Sequence, residues 1–189
     1  MKEDTSMSTQ VDIRGNTIII VGYVGLEGSL EVAKEKNEEM KVYFSKYFMN
    51  QVKKCKEYFA ALQALDRMKK KEEVNGTDVM ISLGADEKCK SLWSALWYLC
   101  EAYKTGVEIE SSRIPIRQET IEICQFTGLN PYQISSKGCY MIITSQPESV
   151  LSELREKDVV SEVIGEITKS RARLVKRGEY IRHLPRPKN

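Results

Sequence analysis

The segment Gly22-Tyr23-Val24-Gly25-Leu26-Glu27-Gly28-Ser29 follows an apolar run, Thr17 to Val21, and precedes a helical pattern. A glycine-rich turn between a buried strand and a helix start suits an anion, because free backbone N–H groups and the helix dipole both face it. The segment lacks the Lys and Ser/Thr of a P-loop, and its G-x-x-G-x-x-G spacing is not the dinucleotide fingerprint. Two readings stand: a phosphate cradle, or a turn that needs glycine to join a strand to a helix.

Few other residues offer chemistry. The single histidine, His183, lies beside Arg182 and Leu184 with no acid cluster nearby. It makes neither a triad nor a metal site, and reads as a surface or edge-strand residue. Glu119 and Glu122 are three apart on a helical pattern and read as a polar face opposite Ile121 and Cys124. Arg113, Arg117 and Glu119 read as a loop-to-helix connection with salt bridges. The cysteines, Cys55, Cys89, Cys100, Cys124 and Cys139, are odd in number and include no CxxC, so no disulfide or zinc framework is indicated. Cys55, Cys100 and Cys124 read as small buried residues. Cys89 sits between Lys88 and Lys90 at a helix start, an environment that lowers a thiol pKa, although most such cysteines are inert.

The elements that must position these residues follow from periodicity. Thr17 to Gly22 reads as a buried strand with consecutive β-branched residues from Ile18 to Val21. Ser29 is placed to cap a helix with Leu30, Ala33, Met40 and Phe44 inward, and Glu31 in its dipole-favoured first turn. Phe48, Val52, Cys55, Phe59 and Leu62 form a clean helical stripe, ended by Lys69-Lys70-Lys71 and Asn75-Gly76. Thr77 to Leu83 reads as a strand. Residues 88–104 form a helix whose apolar face, with Trp93 and Trp97, is broad enough for burial on two sides or for a partner. Val107 to Glu110 is a short strand, and a helix runs from about Arg117 to Phe126, closed by Gly128 and Pro131. Tyr140 to Thr144 is a strand, and Ser145 to Glu148 has capping-box spacing before a helix ending near Arg155. VVSEVIGEI, ARLV and EYIRHL read as strands, the last two forming a hairpin. This order describes a layered α/β or α+β domain.

At 189 residues the chain is long enough for one domain. Residues 1–15 read as a loose polar segment and 16–187 as the domain. The net charge of +2 is too balanced to make nucleic acid the expected partner, although residues 169–189 are strongly basic, which reads as a solvated end. No uncharged stretch approaches the roughly 18 residues that span a bilayer, and the polar start is no signal peptide. The reading is a cytoplasmic protein in a reducing compartment.

IIIVGYVGLEGSLEVAKEK and RIPIRQETIEICQFTGLNPYQISSKGCYMII, with VIGEI and YIRHLPRP, resemble the C-terminal domain of the AIR synthetase (PurM)/HypE superfamily, nearest to the AIR-synthase-related hydrogenase maturation factors. The resemblance spans about residues 16–187. It implies an α/β/α layered fold whose mixed sheet has partial ferredoxin-like topology. It also implies ATP-dependent activation of an amide or carbamoyl oxygen. The family's N-terminal ATP-binding domain has no counterpart in the sequence. Relatives carry a His-Asp pair, an acid and two glycines where this chain has Ala85, Asp86, Cys89, Lys90 and Ser91. The resemblance to HypE further implies a terminal cysteine, where this chain reads Pro185-Arg186-Pro187-Lys188-Asn189, so thiocyanate chemistry on a C-terminal thiol is not expected.

The expectation is a degenerate C-terminal domain, non-catalytic alone and acting as a binding or partner subunit. The alternative is half of a split ATP-dependent maturation or ligase-type enzyme, and a third possibility is a small-molecule sensor. No cofactor is expected for the chain alone, and ATP with Mg only if another chain supplies the N-terminal domain. The expected partner is a second copy or such a chain. A surviving half-site would comprise Gly22, Gly25, Glu27 and Gly28 as the anion-facing loop, with Asp86 and Lys90 opposite. No catalytic or metal-binding residue is expected.

Overall fold

A computed structural model describes residues 11–69 and 76–187, and of residues 58–69 the helical backbone only. The isoleucine run forms β1, Thr17–Val21, in the interior of a seven-stranded sheet. Successive side chains of a strand face opposite ways. Ile18 and Ile20 therefore enter one core, and Ile19 and Val21 the other. A strand buried on both faces reads as an unbroken apolar run, as this one does.

After β1 come α1, Leu26–Glu35, α2, Asn37–Tyr43, and the long α3, Lys46–Lys69. Then β2, Val79–Ser82, α4, Leu92–Tyr103, and β3, Gly106–Glu110, lead through a single 3-10 turn to α5, Gln118–Thr127. The chain closes with β4, Tyr140–Thr144, α6, Pro147–Glu156, β5, Ser161–Thr168, β6, Arg173–Arg177, and β7, Tyr180–His183. Strand order is β2-β4-β1-β5-β3-β6-β7. All neighbours are antiparallel except β3 and β6, so the sheet is mixed.

One face of the sheet packs on α4, through Leu92, Trp93, Leu96 and Leu99. The other packs on α6, through Val150, Leu151 and Leu154. Helices α1, α2, α3 and α5 make a third cluster around Leu30, Met40, Val52 and Ile123. It is rimmed by stacked or edge-on contacts among Tyr43, Phe44, Phe48 and Phe126.

Several sequence expectations change. Ser29 is not a cap: Gly25 holds the N-cap position of α1, and the Ser29 hydroxyl donates to Leu26 O at 2.8 Å and meets Thr120 Oγ1 at 3.1 Å. The expected single helix through Phe44 breaks at Lys36, which turns Met40 and Phe44 onto α3 and α5. No capping box opens α6. Ser145 N–H donates to the Asp78 carboxylate at 2.7 Å, Gln146 N–H donates to Thr144 Oγ1 at 2.8 Å, and Gln146 is the N-cap. Glu119 is not on a solvated face. It is buried and paired with Arg117 at 3.1 Å, whereas Ile121 is 41% exposed. The α4 face is not left open for a partner: Trp93 is buried, and the Arg173 guanidinium lies 4.1 Å above the Trp97 ring while bonding Glu101. Of the segment read as loose, residues 1–10 lie outside the described residues; Ile13 is buried and Gly15 N–H donates to Ile167 O at 2.8 Å.

The remaining elements stand within a few residues of their expected positions. His183 is exposed on the edge strand β7, and Gly128 closes α5 in the left-handed region. Phe59 and Leu62 fall where no side chain is described.

Candidate functional site

The loop Gly22–Ser29 runs from the end of β1 into α1, as its sequence indicates, and the backbone donors of Gly22, Val24, Gly25, Leu26, Gly28 and Ser29 are engaged within the chain. Gly22 N–H donates to Val160 O at 2.8 Å and Val24 N–H to Pro115 O at 2.9 Å. Gly25 N–H donates to Ser136 Oγ at 3.0 Å, Leu26 N–H to Tyr23 O at 3.3 Å, and Gly28 N–H to Ser135 O at 3.0 Å. A phosphate cradle needs such groups free and convergent on one point. Here they diverge onto four separate segments.

The glycines have another use. Gly25 has φ +72°, and a Cβ there would lie 2.6 Å from Pro131 O. A Cβ on Gly28 would lie 2.8 Å from Ser135 N and 2.9 Å from Ser135 O. The missing side chains thus admit the close approach of the 130–136 loop.

In the segment expected opposite the loop, Asp86 is exposed and accepts Cys89 N–H at 2.8 Å, closing a small turn of its own. Ser91 is the N-cap of α4 and forms a reciprocal capping box with Ser94. Lys90 is exposed and pairs loosely with Glu87 at 3.8 Å, while its carbonyl accepts Ser136 N–H at 3.0 Å. Residues 86–91 therefore have structural uses: they build the turn and the start of α4.

Cys89 is not activated. Burial raises its thiol pKa, and the Asp86 carboxylate raises it further against a small opposing effect of Lys88. The ammonium of Lys88 lies 5.8 Å from the Tyr98 ring. Burial also pushes Cys139 up to about 12, and Cys100 and Cys124 up to about 11.

A charged cluster does form at the start of α1. Glu31 is raised above the ordinary carboxylate range, first by the Glu27 carboxylate one helical turn away and then by burial, against the pull of Lys137 and Lys90. One oxygen of Glu27, Oε2, is buried with no partner among the described residues. Of the residues expected to share a site, Gly22, Gly25, Glu27 and Gly28 share the loop and Lys90 lies near it, but Asp86 is turned into its own bend. Sequence reasoning missed Lys137, the Ser135 carbonyl and the Ser136 hydroxyl. The signal available was ISSKG, within the second stretch that carries the family resemblance. Among the described residues there is no grouping of three or more His, Cys, Asp or Glu side chains able to hold a metal, and no helix long and apolar enough to cross a membrane.

A mixed seven-stranded sheet with α4 on one face and α6 on the other, entered through a glycine loop after its first strand, defines a class of α/β domain. The chain matches the family described as AIR synthase related protein, C-terminal domain, over residues 14–176. It belongs to that family. No curated protein sequence matches it significantly. Among solved structures, E. coli HypE, a hydrogenase maturation protein, superposes with TM-score 0.69 at 17% identity, covering 94% of this chain and 52% of that one. HypE in complex with ATP gives 0.66 at 18% identity, covering 93% and 52%. AaThiL complexed with AMPPCP and TMP gives 0.54 at 14%, covering 90% and 51%. The chain spans about half the length of these structures, and at such identities the likeness is one of fold.

Proposed function

We propose that this AIR-synthase-related C-terminal domain is non-catalytic by itself and works as a binding or partner subunit. The observation that carries the reading is the engagement of the loop amides of Gly22, Val24, Gly25, Leu26 and Gly28 by the chain's own oxygens. A phosphate would have to displace those bonds and the 130–136 loop together. The residues present therefore do not fit a nucleotide phosphate at this loop, and no reaction step is assigned through ATP or Mg. Calorimetric titration of the chain with ATP and magnesium is expected to show no saturable heat. Tight binding, abolished by Gly25→Val and kept by an exposed-site control such as Lys41→Gln, would overturn the reading.

One observation favours a second reading, the half of a split ATP-dependent enzyme. The unpartnered Glu27 oxygen, beside Glu31, on which Lys137 and Lys90 also act, belongs to a charged cluster that an added domain could complete. Mixing the chain with a separately expressed AIR-synthase-type N-terminal domain and measuring ATP turnover tests this. Turnover above either chain alone supports the split enzyme, and its absence with demonstrated complex formation favours the non-catalytic subunit.

A further inference from the structure

The β6–β7 hairpin has three features that the loop site does not require. First, β7 is the outer strand, and no strand pairs with its far edge among the described residues. Leu184 N–H donates inward to Arg173 O at 2.8 Å. Antiparallel pairing alternates, so the N–H and C=O groups of Ile181 and His183 point outward, toward the empty edge.

Second, the edge is not blunted by apolar scarcity. Tyr180 is 85% exposed and Ile181 60% exposed, one on each face of the strand. Exposed apolar residues on an unpaired edge are a feature proteins avoid unless something covers them.

Third, the charges are one-sided. The register sets Val175 opposite Arg182 and Arg177 opposite Tyr180. Val175 is buried on the α4 side of the sheet, so Arg177 and Arg182 share that face as diagonal neighbours. Neither has an ion-pair partner among the described residues, whereas Arg173 is held by Glu101 and Lys176 by Glu108. Both guanidiniums also act on the hydroxyl of Tyr132, opposing the rise that burial imposes on its pKa. Tyr132 in turn stacks on Trp93, with ring centroids 4.6 Å apart. Like charges held side by side repel, and an anionic group set between them replaces that repulsion with charge-assisted hydrogen bonds.

We propose that β7 is a docking edge for an extended acidic segment of a partner protein, which adds a strand beside Ile181 and His183 and sets carboxylates against Arg177 and Arg182. A free anion would answer the charges but leave the edge and Ile181 uncovered. A second copy pairing about a two-fold axis would cover the edge but supply no carboxylate from β7 to meet Arg177 and Arg182. An acidic strand satisfies all three features, by backbone pairing for affinity and alternate side chains for selection. The proposal uses none of the Gly22–Ser29 amides, and its peptide test is read apart from the ATP titration.

The test is fluorescence anisotropy with the whole chain and a labelled ten-residue peptide alternating glutamate and valine. Saturable binding is expected, weakened about tenfold or more by the double variant Arg177→Glu/Arg182→Glu. A similar loss is expected from replacing the peptide's glutamates by glutamine, and from N-methylating its alternate amides. Ile181→Pro removes an outward N–H without breaking a ladder bond, a position where an edge strand tolerates proline. It is expected to abolish binding with the circular dichroism spectrum unchanged. No binding, or equal binding of the glutamine peptide, overturns the proposal. So does tighter binding of a labelled single-stranded oligonucleotide, or sedimentation as a dimer that Ile181→Pro dissociates.

Discussion

Gly25→Ala separates the two uses of glycine in the loop. In a phosphate cradle the position faces open space, and an added methyl would harm ligand binding while leaving the free protein about as stable. In this structure the methyl meets Pro131 O at 2.6 Å, with Ile134 Cγ1 and Thr120 Cγ2 at 3.3 Å. The obstruction is a backbone carbonyl, which cannot swing away as a long side chain would. Overpacking of this kind costs about 1–3 kcal/mol. The backbone at φ +72° adds about 1–2 kcal/mol for any residue with a Cβ. Lower entropy of the unfolded chain offsets about 0.4–1 kcal/mol. The sum is a loss of about 1–4.6 kcal/mol, or about 2–18 °C in Tm for a chain of this size. Differential scanning calorimetry and urea titration would measure it. An unchanged Tm and urea midpoint would refute the reasoning, because the 130–136 loop would then not be seated against Gly25 in solution.

Glu31→Gln removes the like-charge pair with Glu27. Glu31 has a raised pKa in the fold, so it disfavours folding increasingly as pH rises through that value. The variant is therefore expected to gain about 0.4–2 °C in Tm at pH 7 and nothing near pH 4, and an equal gain at both pH values would exclude the pairing. Glu119→Gln tests the opposite sign. Burial pushes the Glu119 carboxyl up, but the Arg117 hydrogen bond and charge outweigh this and hold it below the ordinary range. Its contribution is present above the unfolded carboxylate pKa and is lost as pH falls through the folded value. The variant should lose about 1.5–3 kcal/mol at pH 7, and urea midpoints for variant and wild type should converge in acid. The thiols should react slowly with DTNB at pH 8, with Cys89 first because it alone is not fully buried; Cys89 reacting as fast as free cysteine would contradict the raised pKa.

Much of the fold was legible because burial leaves its mark on residue type. A strand with both faces covered must be apolar throughout, and Thr17–Val21 reads that way without any tertiary knowledge. The same is true of the α5 stop at Gly128, where the chain reverses through a left-handed residue. Caps were less legible. Ser29 and Ser145 have suitable types and spacing, yet Thr120 and Asp78, distant in sequence, decide where their hydroxyl and amide turn. Ile121 and Glu119 exchanged their expected places because Arg117, the N-cap of α5, reaches forward to the first turn, allowing the carboxylate to be buried with its partner.

The glycine loop divides along the same line. Its position between a buried strand and a helix, its lack of P-loop residues and its family likeness are properties of the sequence alone. Whether its amides are free is not, because the groups that accept from them, Val160 O, Pro115 O, Ser135 O and Ser136 Oγ, come from segments far along the chain. A local stretch dictates which backbone angles are affordable; only the folded chain determines what approaches through the space the glycines leave.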